Sequence, residues 1–223
     1  MTNQLHPFLR FDFNNGSFLV QVPDEKAIQQ AYAKTSEKGI VSEFPFWARI
    51  WPSAHAMVSF LDRHPFLYQD RRVVEIAAGL GLPALFTALG AKKVIASDYQ
   101  AKALACMKAS IVANGYNNME ALHYNWMEGL PEWETDVLLL SDTNYAPADL
   151  MAVEQLIHWY LKNGSLVVLT TPHRLAAREM LADLAVFCQY TELLDQKGQS
   201  ITVYVYAADN CPLQSFTFQE PVQ

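Results

Sequence analysis

Cysteine is scarce in this chain: Cys106, Cys188 and Cys211 are the three among 223 residues, and no pair has the C-x-x-C spacing of a zinc or redox motif. Thiols so few and so scattered exclude a disulfide framework and lead to an expectation of reduced cysteines in a cytoplasmic protein. Basic charge is also in short supply. Against 23 Asp and Glu stand 16 Lys and Arg, a formal net charge of −7, which argues against nucleic acid or an anionic membrane surface as the main partner. No uncharged apolar run approaches the ~20 residues that cross a bilayer. The opening MTNQLHPFLRFDF lacks the basic start and apolar stretch of a secretory signal. The six histidines form no metal-ligand cluster, so no metal is expected in the mechanism. Repeats, low-complexity tracts and convincing linkers are missing too, and one structural domain is expected.

What the chain does have is apolar material. Hydrophobic residues make up 51% of it and the mean hydropathy is +0.02, which excludes disorder. Its charge is uneven: residues 1–109 carry 12 basic and 9 acidic side chains, residues 110–223 carry 4 and 14.

The first 22 residues read as a hairpin, with Phe8–Phe13 and Ser17–Val22 around Asn14-Asn15-Gly16. Asp24 caps a helix from about Glu25 to Thr35, and Pro52 opens another that reaches about Arg63. From residue 71 strands and helices alternate. Val73–Ala78, Val94–Ser97, Val137–Leu140 and Leu166–Thr170 are apolar without alternation, as in parallel strands buried on both faces. Leu122–Asn125 adds a short strand, and Gln189–Asp195 with Ile201–Ala207 forms an antiparallel ending. The fold class is α/β: a doubly wound, Rossmann-like, seven-stranded sheet with an antiparallel final strand. An N-terminal hairpin and helices (residues 1–70) pack on this core (residues 71–223).

The stretch richest in chemistry is Val73-Val-Glu-Ile-Ala-Ala-Gly-Leu-Gly-Leu-Pro-Ala84. It leaves a strand, turns on Gly79 and Gly81, and enters a helix at Pro83, exposing helix N-terminal amides to a ligand. Asp98 ends the next strand, where a carboxylate can accept two ribose hydroxyls. Gly79-x-Gly81-x-x-Ala84 formally matches the NAD fingerprint. Glu75 weighs against NAD, because a dinucleotide has no evident use for an acid inside the strand, whereas the ammonium of S-adenosylmethionine does. Two classes stay open besides a methyltransferase, namely an NAD-binding oxidoreductase and a non-catalytic cofactor-binding protein.

Glu75-Ile-Ala-Ala-Gly-Leu-Gly81 resembles motif I of the class I, seven-β-strand methyltransferases, [DE]-x-G-x-G-x-G, with Ala77 at the first glycine. Phe46-Trp-Ala-Arg-Ile-Trp-Pro-Ser-Ala-His-Ala56, Ser97-Asp98 and Ser141-Asp-Thr-Asn-Tyr145 resemble the protein-lysine methyltransferase group that includes the electron-transfer-flavoprotein β-subunit lysine methyltransferase. The resemblance covers about residues 44 to 175. It implies an S-adenosylmethionine-dependent N-methyltransferase acting on a protein lysine or, alternatively, a small-molecule amine. Ala77, Gly79 and Gly81 would pass the methionyl group and Glu75 would face its ammonium. Asp98 would hold the ribose, while Tyr99, Asn125 and Trp126 would lie on the adenine side and Trp51 would close the methionyl side. Asp142 and Tyr145, of D-x-x-Y, would serve the acceptor lysine. For Asp142 the competing reading is a cap on a helix near Pro147. Trp47, Trp51 and Trp126 could equally be core rings. His55 suits packing or the surface; His173 could face the site, although a helix-start His and Arg174 more often read as solvated. The acidic run Glu128, Glu132, Glu134 and Asp136 suggests an approach path for a basic acceptor.

Overall fold

The computed structural model describes residues 6–37, 44–143 and 147–213. Among them the hairpin is β1 (Phe8–Phe13) and β2 (Gly16–Gln21), followed by helix α1 (Glu25–Glu37). The Asp24 carboxylate accepts the Ala27 N–H at 3.0 Å, so the helix is capped as its sequence implies. Helix α2 (Pro52–Arg63) precedes β3 (Arg72–Ile76), α3 (Leu82–Thr87) and β4 (Lys93–Asp98). Next come α4 (Ala101–Asn114), β5 (Met119–His123), β6 (Val137–Ser141) and α5 (Leu150–Lys162). The chain goes on through β7 (Leu166–Pro172), α6 (Arg178–Asp183), β8 (Cys188–Gln196) and β9 (Gln199–Tyr206).

Strands β3 to β9 form one sheet in the order β5-β4-β3-β6-β7-β9-β8, with β9 antiparallel to both β7 and β8. The non-alternating apolar runs are explained by burial on both faces. Val73, Val94, Val137, Leu139 and Val168 pack into the layer holding α2, α3 and α4. Their neighbours Val74, Ile95, Leu138, Leu140 and Val167 pack against α5 and α6 on the other side. Gly115 and Gly164, at φ 66° and 80°, stop α4 and α5 in the left-handed conformation that glycine tolerates best.

Most boundaries shift by one or two residues from the sequence reading, and two departures have a clear cause or consequence. β5 begins three residues earlier than Leu122, because Asn118 Nδ2 donates to the carbonyls of Ala88 and Ala91 at 2.9 and 2.8 Å and brings Met119 into register with Val94. As a sheet-edge strand it has no continuous apolar run to reveal it. β3 ends at Ile76 rather than Ala78, and the residues that follow it belong to the turn that shapes the site.

The hairpin packs Phe13 and Phe18 against Phe86 of α3, with ring centroids 5.4 and 6.2 Å apart. The β2 backbone gains side-chain partners from α4. Leu19 N–H donates to Asn114 Oδ1 and Gln21 N–H to Ser110 Oγ, both at 2.8 Å. Its turn is clamped by Asp62 of α2, whose carboxylate accepts the Asn14 and Asn15 backbone N–H groups at 3.1 and 2.9 Å. Both asparagine side chains donate to it as well, each at 2.8 Å. Asp62→Ala leaves these donors unpaired and is expected to cost about 1–3 kcal/mol in urea unfolding, with faster amide exchange at Asn14 and Asn15 and unchanged exchange in β3 and β6. An unaltered unfolding midpoint would show that the clamp contributes nothing.

Candidate active site

The site lies at the carboxyl edge of the parallel strands, the usual place for a ligand in such sheets. After β3 the chain turns through Ala77, Gly79 and Gly81, at φ 53°, 56° and 73°. Ala77, standing where motif I has a glycine, takes the glycine-like conformation in spite of its Cβ. A Cβ on Gly81 would lie 3.0 Å from Met107 Sδ, so a side chain there would require Met107 to shift. Asp98 closes the turn from β4: its carboxylate accepts the Gly79 N–H at 2.9 Å and the Gln100 N–H at 2.8 Å.

Glu75 is 1% exposed and accepts the Ala84 N–H at 2.8 Å. Burial pushes its carboxyl up to about 8, against the opposing effect of the Ala84 N–H, and the nearby charge of Asp98 pushes the same way as burial. Burial raises the Asp98 carboxyl as well, although its backbone N–H partners work against the shift.

These groups border a cavity of about 320 Å³, inside the ~300–1,000 Å³ range of small-molecule sites. Its floor is the turn from Ala77 to Gly81 with Glu75 and Asp98, and its walls include Trp51, Tyr99 and Trp126. Asn125 lies outside it. The Asn125 side chain accepts the Met127 N–H at 3.0 Å, capping a short 3₁₀ turn, and it lines a smaller adjoining hollow shared with Ala77, Tyr99 and Trp126. Trp51 is half-buried, its indole N–H donates to the Phe46 carbonyl at 2.9 Å, and Arg49 stacks over its ring at 4.8 Å. Such a set can hold an organic molecule with a cation beside Glu75, hydroxyls beside Asp98 and a flat ring between aromatic side chains.

Asp142 lines the same cavity from the end of β6. It does not cap a helix, since α5 starts at Leu150 with Asp149 before it. Its partner is Arg174, whose Nη2 and Nε donate to Asp142 Oδ1 at 2.6 and 3.1 Å. Burial raises the Asp142 carboxyl even so, with the Arg174 guanidinium pulling the other way. Tyr145 lies outside the described residues. His173 is exposed and does not border the cavity, whereas Arg174 does, contrary to its reading as a solvated helix start. The signal was in the topology: β6 and β7 pair in parallel with Ser141 opposite Thr170, so residues just beyond them emerge side by side. Sequence reasoning also passed over Arg49 and Thr143, both on the cavity wall. His55 packs on Phe11 at 5.9 Å, as expected.

The acidic run is not an approach path as a whole. Asp136 and Glu134 pair with Arg72 at the amino end of β6, about 20 Å of strand away from Asp142 at ~3.3 Å per residue. Their charges serve the opposite edge of the sheet.

The fold and this site define a class I, Rossmann-like methyltransferase. Residues 45–183 match the family described as lysine methyltransferase, and the chain belongs to that family. Among named relatives, the histone-arginine methyltransferase METTL23 of Xenopus laevis is 24% identical over 168 residues, covering 72% of this chain and 69% of that protein. The protein N-terminal and lysine N-methyltransferase efm7 of Schizosaccharomyces pombe is 32% identical over 120 residues, 46% of each chain. The electron transfer flavoprotein beta subunit lysine methyltransferase of Danio rerio is 30% identical over 105 residues, 47% of this chain and 40% of that one. The chain thus spans less than half of the fission yeast and zebrafish proteins. Among solved structures, a human methyltransferase 10 domain containing protein superposes with TM-score 0.57 at 12% identity, over 82% of this chain and 96% of that one. TrmN from Thermus thermophilus gives 0.54 at 21% identity, over 69% and 47%. These two show the fold. No helix among the described residues is long and apolar enough to cross a membrane.

Glu75 makes a pH prediction. Its carboxyl titrates at 4.5 when unperturbed and at about 8 in the fold, so between those values the folded chain binds the extra proton. The stability this contributes is complete below pH 4.5 and is lost as pH rises to about 8. Glu75→Gln is expected to flatten the decline in thermal unfolding temperature over that window. A decline of undiminished slope in the variant would place its origin elsewhere.

Proposed function

We propose that the chain transfers a methyl group from S-adenosylmethionine to a lysine amine of a protein. The observation that carries the cofactor assignment is Glu75: a carboxylate buried at the floor of an open cavity, with a single amide donor among the described residues, awaits a cation. When bound, S-adenosylmethionine supplies an electrophilic methyl on a sulfonium, and its ammonium is the cation that Glu75 faces. The backbone from Ala77 through Gly79 to Gly81 passes the methionyl group. Asp98 retains lone pairs for the ribose hydroxyls beyond those taken by its amide donors. Tyr99, Trp126 and the Asn125 segment flank the adenine, while Trp51 covers the methionyl end and excludes water.

On the acceptor side, Asp142 orients the amine and Tyr145 completes the D-x-x-Y pair. Alignment of the nitrogen at about 3–3.5 Å from the methyl carbon provides most of the catalytic advantage. The bound ammonium first gives up a proton to solvent; the S–C bond then breaks as the N–C bond forms, and the amine nitrogen takes up the positive charge that the sulfur loses. A lysine acceptor is supported by the family and by a carboxylate at the acceptor position. The NAD reading has no such support. The free Cys106, Cys188 and Cys211 fit a reducing compartment, and we place the protein in the cytoplasm.

Calorimetry with S-adenosylhomocysteine tests the cofactor site. An ammonium beside Glu75 favours the ionised carboxylate, so binding at pH 6.5 should release up to about one proton. The release appears as a dependence of the measured heat on buffer ionisation enthalpy. It should vanish in Glu75→Gln, and NAD should give no heat. Binding of S-adenosylhomocysteine without proton release would move its ammonium away from Glu75, and no binding would refute the cofactor.

A further inference from the structure

We propose that Arg174 is a displaceable stand-in for the acceptor's cation, so that the acceptor must be an alkylammonium able to replace it at Asp142. The inference rests on the acceptor reading above and adds a selection step to it. The Asp142 side chain is 9% exposed and stands on a backbone held at φ 55°. Both Arg174 donors converge on Oδ1, and Oδ2 has no partner among the described residues. This pairing uses one oxygen instead of the two-oxygen fork in which arginine grips a carboxylate hardest.

The Arg174 side chain is 30% exposed, so its stem can swing into solvent while the strand-end carboxylate stays in place. A second oxygen acceptor belongs to the next residue in the chain after Asp142. Thr143 is 1% exposed, its Oγ1 has no hydrogen-bond partner among the described residues, and it borders the same cavity. An ammonium has three donors for Asp142 Oδ1, Asp142 Oδ2 and Thr143 Oγ1, an arrangement the end-on guanidinium leaves incomplete.

Leaving a buried carboxylate unpaired is costly, and Arg174 removes that cost while no acceptor is bound. Arrival of a lysine ammonium exchanges one cation for another, so the charge of the pocket is unchanged. A neutral alcohol or amide cannot make the exchange. Arg174 therefore competes with ligands that pair with Asp142, and a neutral group that cannot displace it gains nothing from its removal.

The test uses the full chain saturated with S-adenosylhomocysteine, and n-butylammonium as a lysine side-chain probe at pH 8, followed by NMR. Removal of the internal competitor in Arg174→Gln should tighten probe binding about tenfold, as for a site whose open form is a minor population. Arg174→Lys, which keeps a cation, should bind like the wild type. Adding Asp142→Asn to Arg174→Gln should abolish the gain, and n-butanol should bind all forms equally weakly. Equal or weaker probe binding in Arg174→Gln, with S-adenosylhomocysteine affinity intact, overturns the role of Arg174 alone. Failure of every form to bind S-adenosylhomocysteine overturns the cofactor reading instead.

Discussion

Two carboxylates at the ends of adjacent parallel strands, Glu75 on β3 and Asp98 on β4, hold the turn between them by its backbone N–H groups. Asp98 fixes Gly79 at 2.9 Å and Glu75 fixes Ala84 at 2.8 Å. Three left-handed positions at alternate residues, Ala77, Gly79 and Gly81, are tolerated because the turn and the helix start after it are tied in this way. The hydrogen bonds that keep the acids ionisable also define the cavity floor. Burial alone would neutralise Glu75 at physiological pH, and a bound cation reverses that tendency. Turn order and the readiness of Glu75 for a cation are thus expressions of one electrostatic constraint.

Strand order extends the same economy along the edge. β6 lies next to β3, so Asp142 emerges beside the Ala77–Gly81 turn, and β7 lies next to β6, so Arg174 emerges beside Asp142. The hairpin clamped through Asp62 packs on α3, the helix that follows Gly81, and so supports the helix into which the turn leads. Arg72 holds Glu134 and Asp136 at the opposite edge of the sheet and leaves the carboxyl edge to the reacting groups.

How much of this was legible beforehand depended on whether a feature was local. The apolar runs of β3, β4, β6 and β7 announced buried parallel strands. Glu75, Gly79 and Gly81 could be named because an acid and a glycine turn are written in one short stretch, and Asp98 because it ends the next apolar run. The register of β5 was not legible, since it depends on Asn118 reaching carbonyls roughly thirty residues away in sequence. Arg174 was misread for a similar reason: a helix-start arginine looks solvated until the topology places it against a buried acid. The acidic run failed in the opposite sense, as closeness in sequence to Asp142 became distance along β6.

The central claim is that a protein lysine receives the methyl group, and the most direct measurement follows the methyl itself. The protein is incubated with methyl-tritiated S-adenosylmethionine and a lysate of the cells it comes from, and the labelled material is fractionated and hydrolysed. Label in methyl-lysine from the protein fraction, lost in Asp142→Asn, is the predicted result. Label confined to low-molecular-weight amines, or protein label on a residue other than lysine, would contradict it.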